Sequence, residues 1–275
     1  MVSDVDIRPR RGTKARHREI IALLDQHGAL SIAQLAGRFG CSPATIRRDL
    51  AVLGKKGLPL QHYHGAVSLT RTNSLGSQIE DRQIERYQEK EAIAQLLIDF
   101  ISDDTIIGLN GGTTTTMIAR ALIKAKKRVR VVTNAVNIAY ELSINDMDVV
   151  IVGGAVRLPN FESTGPLALR TLGDMHVDLG ILGAEGTDPC FGFSTTTEEE
   201  AAVAQAFRSS SDKILMAIDH SKMGKKALFR LLNWTDVDFV AIDRVDEFPV
   251  RGFALPDSSV VASADRATVW KIAPR

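Results

Sequence analysis

Hydrophobic residues in the first part of the chain recur at helical spacing in three short stretches. The first stretch stops at His27-Gly28, a helix-ending pair. The second starts at Ser31, whose hydroxyl suits a helix N-cap, and stops at Gly40. The pattern predicts two short amphipathic helices, with apolar faces made of Ile20, Leu23 and Leu24 in the first and Ile32, Leu35, Ala36 and Phe39 in the second.

Ser42-Pro43 opens the third stretch, which continues as ATIRRDLAVL. Serine caps free backbone N–H groups, and proline fits the first helical turn, where no N–H partner is needed. At about 100° per residue, an apolar stripe forms along one side of this helix. That stripe consists of Ile46, Leu50 and Leu53, while Ala44, Thr45 and Arg48 lie opposite, with Arg47 on the flank.

The polar side of this third helix suits the major groove of DNA. Small residues allow close approach to base edges, arginine makes paired hydrogen bonds to guanine, and helix N-terminal amides hold phosphate. Beyond Gly57, LPLQHYHGAVSL predicts a β-ribbon that turns near His64 and lies along the DNA backbone or the minor groove. Residues 1–70 are therefore predicted to form a winged helix-turn-helix, with DNA contacts from Ser42, Ala44, Thr45, Arg47, Arg48 and His64.

The second part of the chain has an α/β pattern. Residues 68–80 are rich in Ser, Thr, Asn and Gly and predict a linker, placed at 71–80, before a charged helix from about Asp81 to Phe100. From Asp104 onward, near-continuous apolar runs alternate with helical stretches, which predicts a mainly parallel, doubly wound sheet covered on both faces. The predicted strands of this domain, over 81–275, are 105–109, 129–132, 149–152, 179–182, 213–218 and 237–242.

Small and polar groups follow the predicted strands, at the edge where open α/β sheets bind ligands. A glycine-threonine turn entering a helix offers N–H groups, hydroxyls and the positive end of the helix dipole, which suits a phosphate. The turn here has neither the Walker pattern nor the dinucleotide fingerprint. The candidate ligand-binding residues are Asn110, Gly111, Gly112, Thr113, Thr114, Thr133, Asn134, Gly153, Gly154, Asp219 and Lys222.

Charge divides the chain in the same way. The net charge of +1 combines a first part, residues 1–70, with 11 basic and 5 acidic residues and a remainder with 23 basic and 28 acidic residues. This asymmetry favours a polyanionic partner for the first part, the alternative being a solvated basic face.

Several classes of protein are excluded by composition. With 44% hydrophobic and 24% charged residues, the 275-residue chain is typical of globular proteins. No apolar run reaches the ~18–20 residues that span a bilayer, and the N-terminus lacks an apolar signal core, so we expect a cytoplasmic protein. Cys41 and Cys190 lack metal-ligand spacing, which predicts neither a metal site nor a disulfide scaffold, and no cofactor is expected.

SPATIRRDLAVL and the following HGA resemble the N-terminal domain of the DeoR family of bacterial transcriptional repressors, from Arg16 to Leu69. The second part resembles that family's sugar-binding domain, which is similar in fold to ribose-5-phosphate isomerase. The matching stretches are GLNGGTTTTMIARAL, VVTNAVNIAYEL, IVGGAVR, the 178–186 run, TTTEEEAAV and AIDHSKMG. The resemblance implies a repressor of a carbohydrate operon that leaves operator DNA when a phosphorylated sugar or polyol binds.

The resemblance also implies roles for residues. The stretch 111–114 would hold the effector phosphate, Thr133, Asn134, Gly153 and Gly154 would line the pocket, and Asp219 with Lys222 would meet the sugar phosphate. The chain departs from the family at Asn110, where aspartate is usual, and in the wing, where one glycine is missing and Pro59 and Gln61 replace the usual residues. Since palindromic operators need paired reading heads, we expect a dimer or tetramer formed through the second domain.

Two alternatives use the same residues differently. A sugar-phosphate isomerase with a fused nucleic-acid-binding domain would need a carboxylate base and a cation such as Lys222. The candidate bases are Asp178, Glu185, Glu198, Glu199 and Glu200, although the acidic run from Thr197 also fits a helix start. A module that contacts an acidic protein would explain the basic charge but not the helix that reads DNA. No catalytic residue is therefore predicted.

Overall fold

A computed structural model describes residues 13–27, 29–55, 58, 60–63, 66–69, 85–158, 160–243 and 259–272. The chain forms two compact units, Met1–Glu85 and Arg86–Arg275. The predicted linker at 71–80 and the wing residue His64 lie outside the described residues. The second unit begins five residues later than the 81 predicted from the pattern.

The first unit is a winged helix-turn-helix, as predicted. Its three strands form an antiparallel sheet in the order β1-β3-β2, and β1 was not predicted because it has only three residues. The elements are α1 (Thr13–His27), β1 (Ala29–Ser31), α2 (Ile32–Phe39), α3 (Pro43–Lys55), β2 (Leu60–Tyr63) and β3 (Ala66–Leu69).

The predicted helix signals act as the sequence indicates. The Ser31 hydroxyl accepts from the Gln34 N–H at 3.0 Å, and the Gln34 side chain accepts from the Ser31 N–H at 2.8 Å, a reciprocal cap. Gly40 ends α2 at φ 57°, in the left-handed region that glycine adopts without strain. The predicted apolar stripes form one core, centred on Ile20, Leu24, Leu35, Ile46 and Leu50.

A buried carboxylate ties α1 to α3 beneath this core. Asp49 accepts from Arg16 Nε at 2.6 Å and from a terminal nitrogen of Arg16 at 3.1 Å, while Nε2 of His17 lies 3.0 Å away. Burial alone would raise the pKa of Asp49, but the hydrogen bonds from Arg16 and His17 hold the pKa below its usual value. Helix α3, which carries the polar face, is therefore held in place by an ion pair to α1 as well as by apolar packing.

The second unit is an α/β sandwich whose helices cover both faces of an eight-stranded sheet. Its helices are α4 (Tyr87–Phe100), α5 (Thr113–Ala125), α6 (Val136–Ser143), α7 (Pro166–Gly173) and α8 (Glu198–Ser210). Its strands are β4 (Ile106–Leu109), β5 (Arg130–Thr133), β6 (Asp148–Ile151), β7 (Ala155–Arg157), β8 (Glu162–Thr164), β9 (Val177–Leu182), β10 (Gly186–Asp188), β11 (Gly192–Thr195), β12 (Ser211–Ile218), β13 (Phe229–Leu232), β14 (Phe239–Asp243), β15 (Ser259–Ala264) and β16 (Ala267–Lys271).

Strand order in the main sheet is β6-β5-β4-β9-β12-β14-β16-β15. The strands from β6 to β14 are parallel, and β16 and β15 add an antiparallel edge. The chain runs outward from β4 through β5 to β6 and then returns to place β9 on the other side of β4. The sheet therefore has its topological switch point between β4 and β9, where ligands bind in open α/β folds.

Helices α4, α5 and α6 pack on one face of this sheet, and α7 and α8 pack on the other. The two cores have different centres, with Ile93, Leu97 and Ile118 in the first and Leu172 and Phe207 in the second. This arrangement confirms the prediction of a parallel sheet covered on both faces. None of the described helices has the length and apolar character needed to cross a membrane.

The predicted boundaries were wrong in particular places. Helix α4 begins at Tyr87 because Arg86 adopts φ 56°, outside the helical range, and residues 81–84 lie outside the described part. The last predicted run, 237–242, begins as a strand only at Phe239, since Val237 still ends a short 3-10 turn. The hairpin of β7 and β8, the small sheet β10-β11-β13 and the edge pair β15-β16 were not predicted.

We expect Asp49→Ala to lower the unfolding free energy of the first unit by about 3 kcal/mol, because its removal leaves the half-buried Arg16 guanidinium without its partner. Thermal unfolding of the whole chain, followed by circular dichroism, measures this as a lower first transition. Glu19→Ala is the control, since this α1 acid is partly exposed and lies 3.9 Å from its cation. Equal transitions in the two variants would contradict the structural role of Asp49.

Candidate functional site

The first candidate site is the outer face of α3. Ser42, Ala44, Arg47 and Arg48 are exposed there, and Thr45 is half-buried. The Ser42 hydroxyl accepts from the Thr45 N–H at 3.2 Å and lies 3.0 Å from the Thr45 hydroxyl, so it caps the helix. Neither Arg47 nor Arg48 has an acidic partner among the described residues of this unit. This face therefore presents two exposed guanidinium groups at a helix start, with no ion pair to the part of the unit that the structure describes.

The second candidate site lies at the carboxyl ends of the parallel strands, around the switch point. Asn110, just after β4, accepts from the Gly183 N–H at 2.9 Å and donates to the Gly183 carbonyl at 3.3 Å. Thr133 donates to the Leu109 carbonyl at 2.7 Å and accepts from the Ala135 N–H at 3.1 Å. These two predicted site residues hold neighbouring strand ends together, so their polar atoms serve the frame of the site.

The glycine-threonine turn forms the start of α5, as predicted. Gly112 adopts φ 148° and precedes the helix without a side-chain cap. The Thr115 and Thr116 hydroxyls donate back to the Gly112 carbonyl at 3.1 and 2.7 Å. Thr113 is half-buried and Thr114 is buried at the first turn, where backbone N–H groups have no partner within the helix. The turn keeps the N–H groups and the positive helix end available to an anion.

Two buried acceptors at strand ends have no donor in the described part of the protein. Asn134 donates through Nδ2 to the Ser163 carbonyl at 3.1 Å, but its Oδ1 is unpartnered. Asp219 accepts from the Ser221 N–H at 3.0 Å through Oδ1, while its Oδ2 is unpartnered. Each residue is only 1% exposed. Because a buried acceptor without a donor is costly, both oxygens suit a ligand that brings hydroxyl groups.

The remaining predicted site residues, Lys222, Gly153 and Gly154, differ in burial and in backbone conformation. Lys222 ends a 3-10 turn after β12, is half-buried, and has no acidic partner among the described residues. Gly153 is exposed, while Gly154 adopts φ 140° and lies so close to Thr164 that a Cβ would stand 2.5 Å from the carbonyl oxygen. Gly154 is therefore required by the turn into the β7–β8 hairpin.

A cluster that the sequence interpretation missed adjoins the glycine turn. Arg157 on β7 contacts Glu200 of α8, and its terminal nitrogen lies 3.3 Å from Glu162 Oε2 on β8. Asn160 donates to Glu200 at 2.8 Å, and the Thr195 hydroxyl donates to the other Glu200 oxygen. We call Arg157, Asn160, Glu162, Thr195 and Glu200 the acid–arginine cluster.

Glu162 connects this cluster to the glycine turn. A Cβ built at Gly111 would lie 2.2 Å from Glu162 Cγ, so the absence of a side chain at Gly111 makes room for the glutamate. Burial is the main cause that raises the pKa of Glu162 to about 8, the neighbouring Glu200 acts in the same direction, and Arg157 opposes the shift. The cluster therefore favours a protonated Glu162 beside the Arg157 guanidinium at neutral pH.

Three of the candidate bases for isomerisation, Asp178, Glu198 and Glu199, lie outside the acid–arginine cluster. Asp178 lies at the opposite, amino-terminal edge of the sheet, where it accepts from the Ile106 N–H at 2.7 Å, so its suggested place in the site was wrong. Glu198 and Glu199 are exposed in the first turn of α8, and the Thr197 hydroxyl accepts from the Glu200 N–H at 3.4 Å. The acidic run is thus a capped helix start, and only Glu200 of that run joins the cluster.

Comparisons with known proteins identify both units of the chain. Residues 16–72 match the family described as DeoR-like helix-turn-helix domain, and residues 85–244 match the DeoR C terminal sensor domain. The Glycerol-3-phosphate regulon repressor of Escherichia coli (strain K12) is 32% identical over 229 residues, 83% of this chain and 90% of that protein. The protein of the same name from Haemophilus influenzae is 33% identical, covering 84% and 90% respectively.

More distant similarities complete the comparison. The HTH-type transcriptional repressor CsqR of Escherichia coli (strain K12) is 28% identical over 89% of this chain and 93% of its own length. Among solved structures, ribose 5-phosphate isomerase A from Methanocaldococcus jannaschii is 12% identical, with a TM-score of 0.38 over 68% of this chain and 79% of its own.

Glu162 should make the stability of the second unit depend on pH. Its folded pKa of about 8 lies above the usual 4.5, so the folded state retains a proton that the unfolded chain releases between these values. We expect the stabilisation from this proton to be complete below pH 4.5 and to be lost as the pH rises toward 8, at up to about 1.4 kcal/mol per pH unit.

Urea unfolding of wild type and Glu162→Gln between pH 5 and 9 measures this dependence. The amide variant should lose the slope that the wild type shows, while Glu198→Gln, at an exposed acid, should retain it. Parallel profiles for wild type and Glu162→Gln would show that Glu162 is ionised throughout this range.

Proposed function

Because the chain belongs to the DeoR family of DNA-binding transcriptional regulators, we propose that it represses a carbohydrate-metabolism operon and leaves its operator when a phosphorylated sugar or polyol binds. The observation that carries this proposal is the pairing, in one chain, of an exposed arginine face on α3 with a phosphate-type turn and unpartnered acceptors at a switch point.

The DNA contacts follow from the exposed face of α3. Arg47 and Arg48 carry guanidinium groups that suit guanine edges or phosphates, and Ala44 permits close approach of the helix. Thr45 and Ser42, whose hydroxyls lie 3.0 Å apart, stand at the helix start, where backbone N–H groups also favour a phosphate. We expect base reading from the arginines and positioning from Ser42 and Thr45; His64 remains a proposed wing contact.

The effector would bind across the strand ends. Its phosphate suits the N–H groups of 111–114 and the charge of Lys222, as at other helix N-termini. Its hydroxyl groups suit the unpartnered oxygens of Asn134 and Asp219. Two relatives are named repressors of a glycerol-3-phosphate regulon, and that compound has the same chemistry, a phosphate on a polyol. We place Asn110, Thr133, Gly153 and Gly154 in the frame of this pocket.

Binding without turnover is favoured over isomerisation. A general base needs a free lone pair beside the substrate carbon. Glu200 already receives Arg157, Asn160 and Thr195, and Glu162 retains its proton at neutral pH. Asn110 occupies a strand end with an amide. We therefore assign the pocket to sensing, and the ligand must bind the operator-free state more tightly if it is to release DNA.

We expect Arg48→Ala to cost about 1–3 kcal/mol of specific operator binding and to relax the preference at one base position. Fluorescence anisotropy, on DNA upstream of the protein's own gene cluster and on scrambled DNA at fixed salt, measures both. Arg18→Ala is the charge-matched control, because Arg18 is exposed on α1. A similar loss on specific and scrambled DNA in both variants would remove Arg48 from base reading.

Lys222→Ala should weaken the release of operator DNA by a phosphorylated polyol about tenfold or more, through loss of a charge-assisted hydrogen bond. Operator affinity without the polyol should be unchanged. The titration uses a panel of sugar and polyol phosphates that includes glycerol 3-phosphate, with Lys225→Ala as the exposed neighbouring control. A normal response in Lys222→Ala would move the phosphate away from this turn.

A further inference from the structure

Glu162 is a buried acid that lies between the acid–arginine cluster and the glycine turn. It is 3% exposed, and its two carboxyl oxygens face different groups. A terminal nitrogen of Arg157 donates to Oε2 at 3.3 Å, while Oε1 lies 2.2 Å from the place that a Cβ at Gly111 would occupy. One oxygen therefore belongs to the cluster, and the other borders the turn at the start of α5.

The backbone of Glu162 is held from two sides. Glu162 pairs with Arg157 across the β7–β8 hairpin and bridges to Ala135 on its other side. The next residue, Ser163, donates to the Asn134 carbonyl through its N–H at 2.7 Å and through its hydroxyl at 3.0 Å. A ligand that reaches the turn therefore meets the Glu162 carboxyl in place.

The donors around the two carboxyls differ. Glu200 receives Arg157 and Asn160 on one oxygen and the Thr195 hydroxyl on the other, as suits an ionised carboxylate. Among the described residues, the charged groups that face Glu162 are Arg157 on β7 and Glu200 on α8, so one cation serves two acids. Because Oε2 of Glu162 already accepts from Arg157, its proton belongs on Oε1, which borders the turn.

A phosphate in the turn would change this balance. If it accepts from the N–H groups of 111–114, it brings negative charge beside the Glu162 carboxyl. An ionised Glu162 would then oppose it as a like charge in a buried site. A protonated Glu162 would instead donate an O–H to a phosphate oxygen, and such charge-assisted hydrogen bonds are short and strong. Asn134, bonded to the residue after Glu162, adds an unpartnered acceptor for a ligand hydroxyl.

We propose that Glu162 binds the ligand's phosphate as a protonated acid and donates a hydrogen bond from Oε1 to a phosphate oxygen, so that each ligand binds together with one proton. This inference rests on the proposed function, because it assigns a further binding residue to the same pocket. Arg157 is a positioning residue here, since it holds the other carboxyl oxygen.

Calorimetric titration of the full chain, with the most effective compound of the sugar and polyol phosphate panel, tests this role. A phosphate ester is largely a dianion from pH 7 to pH 9. Because the pKa of Glu162 is about 8, the wild type should bind about tenfold more weakly at pH 9 than at pH 7. At pH 8.5 it should take up ~0.8 proton per ligand, measured in two buffers of different ionisation enthalpy.

Two variants at this position separate a donor from a charge. Glu162→Gln cannot ionise, so its affinity should change less than about twofold between pH 7 and pH 9, and it should take up no proton. Glu162→Ala has no donor and should bind about tenfold more weakly than wild type at pH 7. Glu198→Gln, at an exposed acid in the first turn of α8, is the control and should keep the wild-type pH dependence. Circular dichroism at each pH checks that the variants fold.

The proposal is overturned if the wild type takes up no proton at pH 8.5, or if Glu162→Gln keeps the wild-type pH dependence. Tighter binding by folded Glu162→Ala at pH 7 would also overturn it, because this would show an ionised Glu162 that repels the phosphate. If no compound of the panel releases operator DNA, the proposed function fails, and inorganic phosphate becomes the probe for the same titrations. Absence of phosphate binding would then overturn the role of Glu162 as well.

Discussion

The reversal of strand order between β4 and β9 is the constraint on which the second unit depends. The two strands pair up to Leu109 and Ile181, and beyond that point the chain leaves the sheet on both sides. Asn110 extends the pairing by one position, since its amide accepts from and donates to Gly183. A carboxylate at this position would accept the N–H but would face the Gly183 carbonyl with another oxygen. The amide therefore fits this pairing better than a carboxylate would.

The acid–arginine cluster lies beside this strand end, because Glu162 occupies the space next to Gly111. Glycine is needed at position 111 to make room for Glu162, whether or not a phosphate also binds there. A Cβ at this position would lie 2.2 Å from Glu162 Cγ. Glu162 and Glu200 share one guanidinium group from Arg157, so one of the two carboxyls keeps its proton. A phosphorylated ligand that entered beside Gly111 would bring negative charge to this balance, and Lys222, in the turn after β12, is a cation at the same edge of the sheet.

Local signals in the sequence predicted the elements on which both sites stand. The caps at Ser31 and Ser42, the stripe of Ile46 and Leu50, and the glycine turn after β4 act within a few residues of each other along the chain. The cluster could not be predicted in this way, because Arg157 and Glu200 are 43 positions apart and meet only through the hairpin. Asn110 was predicted to contact the ligand. Its partner in the structure is Gly183, which only the order of the strands in the sheet brings beside it, and local signals along the chain do not give that order.

The β7–β8 hairpin is the element that joins the acid–arginine cluster to the surface of the second unit. Its residues Arg157 and Glu162 belong to the cluster beside Gly111, while Val156 and Leu158 are exposed. A ligand changes a distant equilibrium only by the difference between its affinities for two states. If occupancy of the pocket shifts the hairpin, the two positions of the hairpin are the two states between which the ligand distinguishes. Repression and release can therefore be linked through one strand pair with two chemically different faces.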